Sequence, residues 1–389
     1  MESAIRPSAK STATVHERAA AIPWFIYAVA LGATSIIVGV IWDISWHRTI
    51  GRDTFWTPAH MAIYLGGVLG GISGGWLVLK TTFRGTLEEK NASVRFWGFR
   101  GPIGAWLSIW GAIAMLTSAP FDDWWHNAYG LDVKIISPPH TLLAAGIIAL
   151  VLGAFLLVLS EQNRNEGKLK NVYAGIYGYI GGILVLIVAT LTMEYSQPAQ
   201  MHQTRFYMIA GGAYTILLVA TARASILRWP ATTAALGYMA ISCLMIWILP
   251  LFSAEPKLAP IYNPVDHMVP PKFPMLMVIP ALAIDFWIRR FGSNRDWRLS
   301  VILGVSFMAV FFVVQWFFSN FMLTEYARNW FFAGHEFSYF NRPGDWWYRH
   351  WRAESGMTLI RGLGIAALLA VVSARLGLWW GNWMAGVKR

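Results

Sequence analysis

An all-α, polytopic transmembrane bundle is the fold class this sequence predicts, and three observations predict it. Of the 389 residues, 56% are hydrophobic and only 13% charged, against about 25% charged in a soluble domain. The apolar residues gather into ten runs, each close to the roughly 20 residues a spanning helix needs. The 22 tryptophans fit the same class, because indole rings favour the membrane interface. The single cysteine, Cys243, lies inside an apolar run. That excludes a disulfide framework, an iron–sulfur cluster and a thiolate zinc site, so any metal here must use His and carboxylate. The net charge of +11 does not point to nucleic acid, since the basic residues sit in short segments between apolar runs.

Residues 1–21 are polar, carry Arg6, Lys10 and Arg18, and read as a cytoplasmic tail before a retained first helix. The ten runs are 22–42, 58–79, 101–119, 138–159, 172–192, 206–222, 231–252, 273–288, 299–319 and 357–380. The sequence divides into the tail, a four-helix metal-binding region (22–160) and a six-helix C-terminal region (161–389) with lid-like loops. Ten crossings place both termini on one side. The connections on that side hold Lys80, Arg84, Lys90, Arg95 and Arg100, then Arg164, Lys168 and Lys170. Arg223, Arg228, Arg289, Arg290, Arg295 and Arg298 follow. The positive-inside rule makes this side cytoplasmic. The reading is a multi-pass inner-membrane protein whose other face is periplasmic.

That other face collects the histidines. His47, His60, His126, His140, His202, His267, His335 and His350 all fall at or near its helix ends, and only His16 lies opposite. Two connections there share a pattern. Asp43-Ile-Ser-Trp-His47 is followed by His60 in Thr57-Pro58-Ala59-His60, and Asp122-Asp-Trp-Trp-His126 by His140 in Ser137-Pro138-Pro139-His140. Asp and His four apart share one face if that stretch is helical. Thr57 and Ser137 are N-cap types and Pro suits the first helical position, so each second His enters on the first turn of the next helix. Each module can bring two imidazoles and one carboxylate around one ion, leaving coordination positions open for oxygen or water. A lone His at a helix end is usually an interfacial polar residue. Two copies at near-identical spacing outweigh that reading. Copper, iron and zinc all accept these donors.

The stretch from Asp43 to His60 resembles the metal-binding segment of the C subunit of copper membrane monooxygenases, the family of the particulate methane and ammonia monooxygenases and their hydrocarbon-oxidising relatives. The likeness includes the three ligand positions and also the Trp-His, Thr-Ile, Arg-Asp-Thr and Thr-Pro-x-His between them. The second module resembles that subunit's second site, with Asp122 where the family usually has Asn and Asp123 where it shows another acid. The likeness covers about residues 41–143. It implies copper at the first module, copper or a related ion at the second, and dioxygen activation at the periplasmic side. The family's C subunits are shorter and work beside two other subunits.

The expected function is therefore a copper-dependent monooxygenase, or its metal-bearing subunit, hydroxylating a small apolar substrate. Asp43, His47 and His60 would hold one ion, and Asp122, His126 and His140 the other. Trp46, Trp124 and Trp125 would shield them. Electrons would come from quinol or another external reductant, and other membrane subunits or further copies of the chain would be partners. The alternative is a non-enzymatic copper-binding, delivery or assembly protein. Glu194, His202, His267, His335 and His350 are weaker ligand candidates, which read first as polar residues of a lid. Asp285 reads as salt-bridged to Arg289, and the glycines from Gly66 to Gly75 as a close helix contact.

Overall fold

The computed structural model describes residues 22–52, 54–130, 137–197, 200–259, 265–292, 296–333 and 353–388. Their helices are α1 (Trp24–Thr49), α2 (Pro58–Arg84), α3 (Leu87–Asn91), α4 (Ile103–Tyr129), α5 (Pro138–Arg164) and α6 (Gly167–Leu191). α7 (Thr204–Ala224), α8 (Pro230–Ile248), α9 (Val278–Phe291), α10 (Asp296–Met322) and α11 (Gly356–Ala385) complete the bundle. A two-stranded hairpin, β1 (Val94–Phe96) and β2 (Phe99–Gly101), joins α3 to α4 with Arg95 opposite Arg100. Among the described residues nine helices are long and apolar enough to cross a bilayer, all but α3 and α9. The protein is an all-α, multi-pass membrane bundle. α2 packs on both α1 and α4, and α5 packs on α4, α1 and α6.

The tenth predicted span, 273–288, is corrected. α9 has 14 residues, about 21 Å of helix, and cannot cross a core of about 30 Å alone. Residues 265–277 ahead of it are not helical. Pro270, Pro271 and Pro274 lack N–H groups and push the residues before them toward extended backbone. Inside an apolar bundle such backbone needs partners, and neighbouring helices supply them. The Ser45 hydroxyl donates to the Val269 carbonyl at 2.6 Å, and Val269 N–H donates to Thr49 Oγ1 at 2.9 Å. Met275 N–H donates to Tyr238 Oη at 2.9 Å and Leu276 N–H to Gln315 Oε1 at 3.0 Å.

Two further expectations change. α1 and α4 run on past the apolar runs to Thr49 and Tyr129, α4 continuing through Pro120. Asp43, His47, Asp122 and His126 are therefore helical, on the last turns of their helices. Asp285, buried in α9, is an anchor, but its hydrogen bonds go to α8 and Arg289 adds only a longer-range attraction. Its carboxylate accepts Ala231 N–H at 3.0 Å, Thr232 N–H at 2.8 Å and Thr232 Oγ1–H at 2.7 Å. It thus caps the first turn of α8, whose N–H groups have no partners within the helix. The Arg289 guanidinium instead lies over the Trp229 ring, 4.8 Å from its centroid.

The glycine run of α2 packs as its spacing predicts. A Cβ on Gly66 would meet the Gly32 carbonyl at 2.5 Å and Ile36 at 2.4 Å. On Gly70 it would meet Leu150, and on Gly74 the Ala105 carbonyl. Gly75 faces open space. The same substitution at two glycines of one helix should therefore act in opposite directions. Gly66→Ala should cost about 1–3 kcal/mol through forced separation of α1 and α2. Gly75→Ala should be neutral or gain up to about 1 kcal/mol from better helix propensity. Thermal midpoints of the two detergent-solubilised variants test this, and equal shifts would refute the packing.

Candidate metal centre

α1 ends and α2 begins around Asp43, His47 and His60. His47 Nε2 lies 3.7 Å from Asp43 Oδ2, and His60 Nε2 lies 3.3 Å from Asp43 Oδ1. α4 and α5 repeat the arrangement. His126 Nε2 lies 3.4 Å from Asp122 Oδ2, and His140 Nε2 lies 3.5 Å from Asp122 Oδ1. In each module the carboxylate presents one oxygen to each imidazole.

The local chain explains why. Gly51 and Gly130 follow the two helix ends with φ of +93° and +87°, a left-handed conformation that only glycine adopts at little cost. They let the chain turn straight back. Thr57 and Ser137 then cap the next helices, their hydroxyl oxygens accepting the N–H of His60 at 3.4 Å and of His140 at 3.3 Å. The rings are also oriented. His60 Nδ1 is 3.0 Å from the Thr54 carbonyl and His126 Nδ1 is 3.2 Å from the Gly130 carbonyl. A carbonyl only accepts, so Nδ1 must carry the hydrogen. A neutral His60 or His126 therefore turns the lone pair of Nε2 toward its aspartate.

Two acceptors facing each other need a cation between them, either a proton on the ring or a metal ion. The distances bear on which. All four exceed the 2.7–2.9 Å typical of a charge-assisted N–H···O bond. Two donors bound to one ion at about 2.1 Å each sit roughly 3.0–3.5 Å apart. Three of the four pairs fall in that range and His47–Asp43, at 3.7 Å, lies outside it. Imidazole and carboxylate are donors that copper, zinc and iron all accept, and backbone carbonyls behind the rings are common partners of metal-binding histidines. As the side chains stand, no group of three or more His, Cys, Asp or Glu among the described residues is arranged to hold a metal ion, so either module would have to draw its side chains closer around one. Of the six side chains, His47 is the most exposed at 47% and His60 the least at 18%. The second module is more even, from 25% to 35%.

The surroundings are aromatic. Phe55 packs edge-on to Trp56 and against Tyr64, which in turn flanks His60. Trp125 and Tyr129 pack at 4.5 Å beside the second module. Trp46 is tied by its indole N–H to the Arg52 carbonyl at 3.0 Å. Trp124 is 55% exposed, so it faces outward rather than covering the site. Asp123 accepts from Asn127.

The weaker candidates do not assemble into a third group among the described residues. Glu194 is exposed in a single 3-10 turn, Met193–Tyr195. His202 is buried edge-on against Trp316, and its carbonyl accepts Glu354 N–H. His267 pairs with its neighbour Asp266 at 2.7 Å. His335 and His350 lie outside the described residues. No protein-family model, no curated protein and no solved structure matches the chain.

Sequence reasoning missed two features. The repeat extends into the packing: Gly32 and Gly111 each lie eleven residues before their aspartate, and Gly66 and Gly146 each six residues after their second histidine. Gly32 meets Gly66, and Gly111 meets Gly146, backbone to backbone. That spacing was in the sequence and would have paired the glycines. The second feature is Lys272. It lines a cleft of about 100 Å³ behind α1, with Arg48, Ser45, Met193 and the 269–275 segment. Its Nζ is buried, and nothing in the sequence around it signals that.

Lys272 lies level with the end of α1, outside the spanning helices. Burial, with the Arg48 guanidinium next, pushes its ammonium down to about 7, while Glu194 pulls the other way. A lysine whose folded pKa is depressed opposes folding most at low pH, where it is charged in both states. The penalty shrinks between about 7 and about 10.5, as the folded form alone loses its proton. Lys272→Met should therefore raise the thermal midpoint most at pH 6, with the gain falling steadily toward pH 10. A gain that does not vary with pH would contradict the burial of the charge.

Proposed function

We propose that this protein is a membrane copper-dependent monooxygenase, or its metal-bearing subunit, with two copper sites at one end of the bundle. The observation that carries the reading is the duplicated Asp/His/His set, in which each carboxylate lies 3.3–3.7 Å from the Nε2 atoms of both its histidines. The likeness of residues 41–143 to the monooxygenase C subunit supports copper among the metals the donors accept. Asp43, His47 and His60 would hold one ion, and Asp122, His126 and His140 the other. Copper bound there would supply the binding and reduction of dioxygen.

The residues themselves would do the rest. Asp43 and Asp122 would each offset part of the ion's charge. The Thr54 and Gly130 carbonyls would keep His60 and His126 in the tautomer that ligates through Nε2. The aromatic rings beside both modules would present an apolar approach to a small hydrophobic substrate dissolved in the bilayer. The lysine and arginine distribution supports a cytoplasmic basic end, cytoplasmic termini and modules facing the periplasm of an inner membrane. Electrons would come from quinol or another external reductant, through partner subunits or further copies of the chain.

A second reading, copper delivery or assembly at the same face, is favoured by the exposure of His47, since a ligand open to water can hand its ion on. Metal content and electron paramagnetic resonance of the native protein, His47→Ala and His126→Ala test the sites. Each variant should lose about one equivalent of copper and one spectral component. If neither changes, the site assignment fails. Oxygen-dependent product formation by copper-loaded protein then separates the readings: binding without turnover leaves delivery.

A further inference from the structure

At the opposite end of the bundle a second cavity, of about 400 Å³, opens between the α7–α8 turn and the ends of α9 and α11. Three arginines line it, Arg223, Arg228 and Arg289, with Ser225, Asn382 and one carboxylate, Asp285. That carboxylate is already engaged by the first turn of α8. Arg223 is also committed. It donates to Asn382 Oδ1 at 2.6 Å, the Gly292 carbonyl at 3.2 Å and Asp296 at 3.2 Å.

Arg228 and Arg289 differ. Both side chains are exposed, and both guanidinium groups lie over the same indole, Trp229, at 5.8 Å and 4.8 Å from a ring centroid. Their attraction to the ring holds two like charges together, and an anion shared between them would relieve the repulsion. The guanidinium fork matches phosphate oxygens. Pro230, the first residue of α8, lines the same cavity, so the positive end of that helix adds to the field. Beside these cations in sequence stand three exposed apolar side chains, Ile226, Phe286 and Phe291. Cations over an indole with an apolar skirt, at the boundary of a membrane bundle, suit a phosphate that carries acyl chains better than a free one. Basic pockets between spanning helices are a recurrent setting for such headgroups.

We propose that this cavity binds the headgroup of an anionic phospholipid, its phosphate clamped by Arg228 and Arg289 and its chains lying against Phe286 and Ile226. The site is independent of the metal modules and of the activity proposed for them.

Native mass spectrometry of the full detergent-solubilised chain, titrated with phosphatidylglycerol or phosphatidylcholine, tests it. Wild type should retain phosphatidylglycerol roughly tenfold more strongly. The Arg228→Gln/Arg289→Gln double variant should lose that preference. Arg205→Gln, which removes a guanidinium from over Tyr195 near the other end of the bundle, should keep it. Equal retention of the two lipids by wild type overturns the proposal whether or not the double variant folds, as does a preference unchanged in that variant. A preference abolished by millimolar inorganic phosphate overturns the lipid assignment in favour of a free anion.

Discussion

Helices in a bilayer gain little from hiding apolar surface, because lipid is as apolar as leucine; close packing must hold them instead. Here that packing runs through paired glycines, and the two Asp/His/His modules depend on it. Gly32 against Gly66 and Gly111 against Gly146 bring the backbones of α1 and α2, and of α4 and α5, into direct contact. A second pair, Gly104 and Gly153, continues the α4–α5 seam. Each seam lies about two to three turns from its module. Side chains short enough for an Asp–His–His set can meet across a helix pair only when the axes are this near. A methyl group inserted in the seam would move the second histidine away from the carboxylate, although it touches neither.

The two ends of the bundle are held by different means. At the module end, side chains satisfy backbone left open by the broken tenth span: Ser45, Thr49, Tyr238 and Gln315 all bond to residues 269–276. Lys257 Nζ also donates to the Thr49 and Val265 carbonyls. At the other end the bonds are ionic or amide. Arg223 and Asn382 share Asp296, and Asn163 donates to the Met384 and Val387 carbonyls. Backbone that leaves helical geometry on its way into the bundle must be enclosed, and enclosing it here also buries Lys272 just outside the spanning helices. Lys272 is thus held where its charge opposes folding, a consequence of the Pro-rich break it belongs to.

Much of this was legible from the residues, for definable reasons. Apolar runs of about 20 residues fix the existence of helices, because within one segment only a helix satisfies its own backbone in lipid. The Asp-x-x-x-His spacing and the Thr-Pro and Ser-Pro starts located both modules because caps and periodicity are local. Helix ends were less legible: Asp43 and Asp122 look like loop residues, yet the helices continue through them, since a polar residue at a bilayer surface has no reason to end a helix. The break at Pro270–Pro274 hid inside an apolar run of ordinary length. Asp285 was read through Arg289, its neighbour in sequence, whereas its hydrogen bonds go to the first turn of α8. Only tertiary contact supplies that information.

The two modules carry one donor set but not one environment. With Asp at both, formal charge does not separate them. Exposure does separate them. In the first module His60 and Asp43 are largely covered and His47 is half open. In the second, all three side chains are covered to similar degrees. An imidazole competes with water for an ion, and it competes worst where water has access. An ion at the first module would therefore be released from the His47 side, with His60 and Asp43 the last to let go. The second module has no such opening ligand. Identical donors on matched helix pairs would then differ in how readily they exchange their ion, through the covering of one ring.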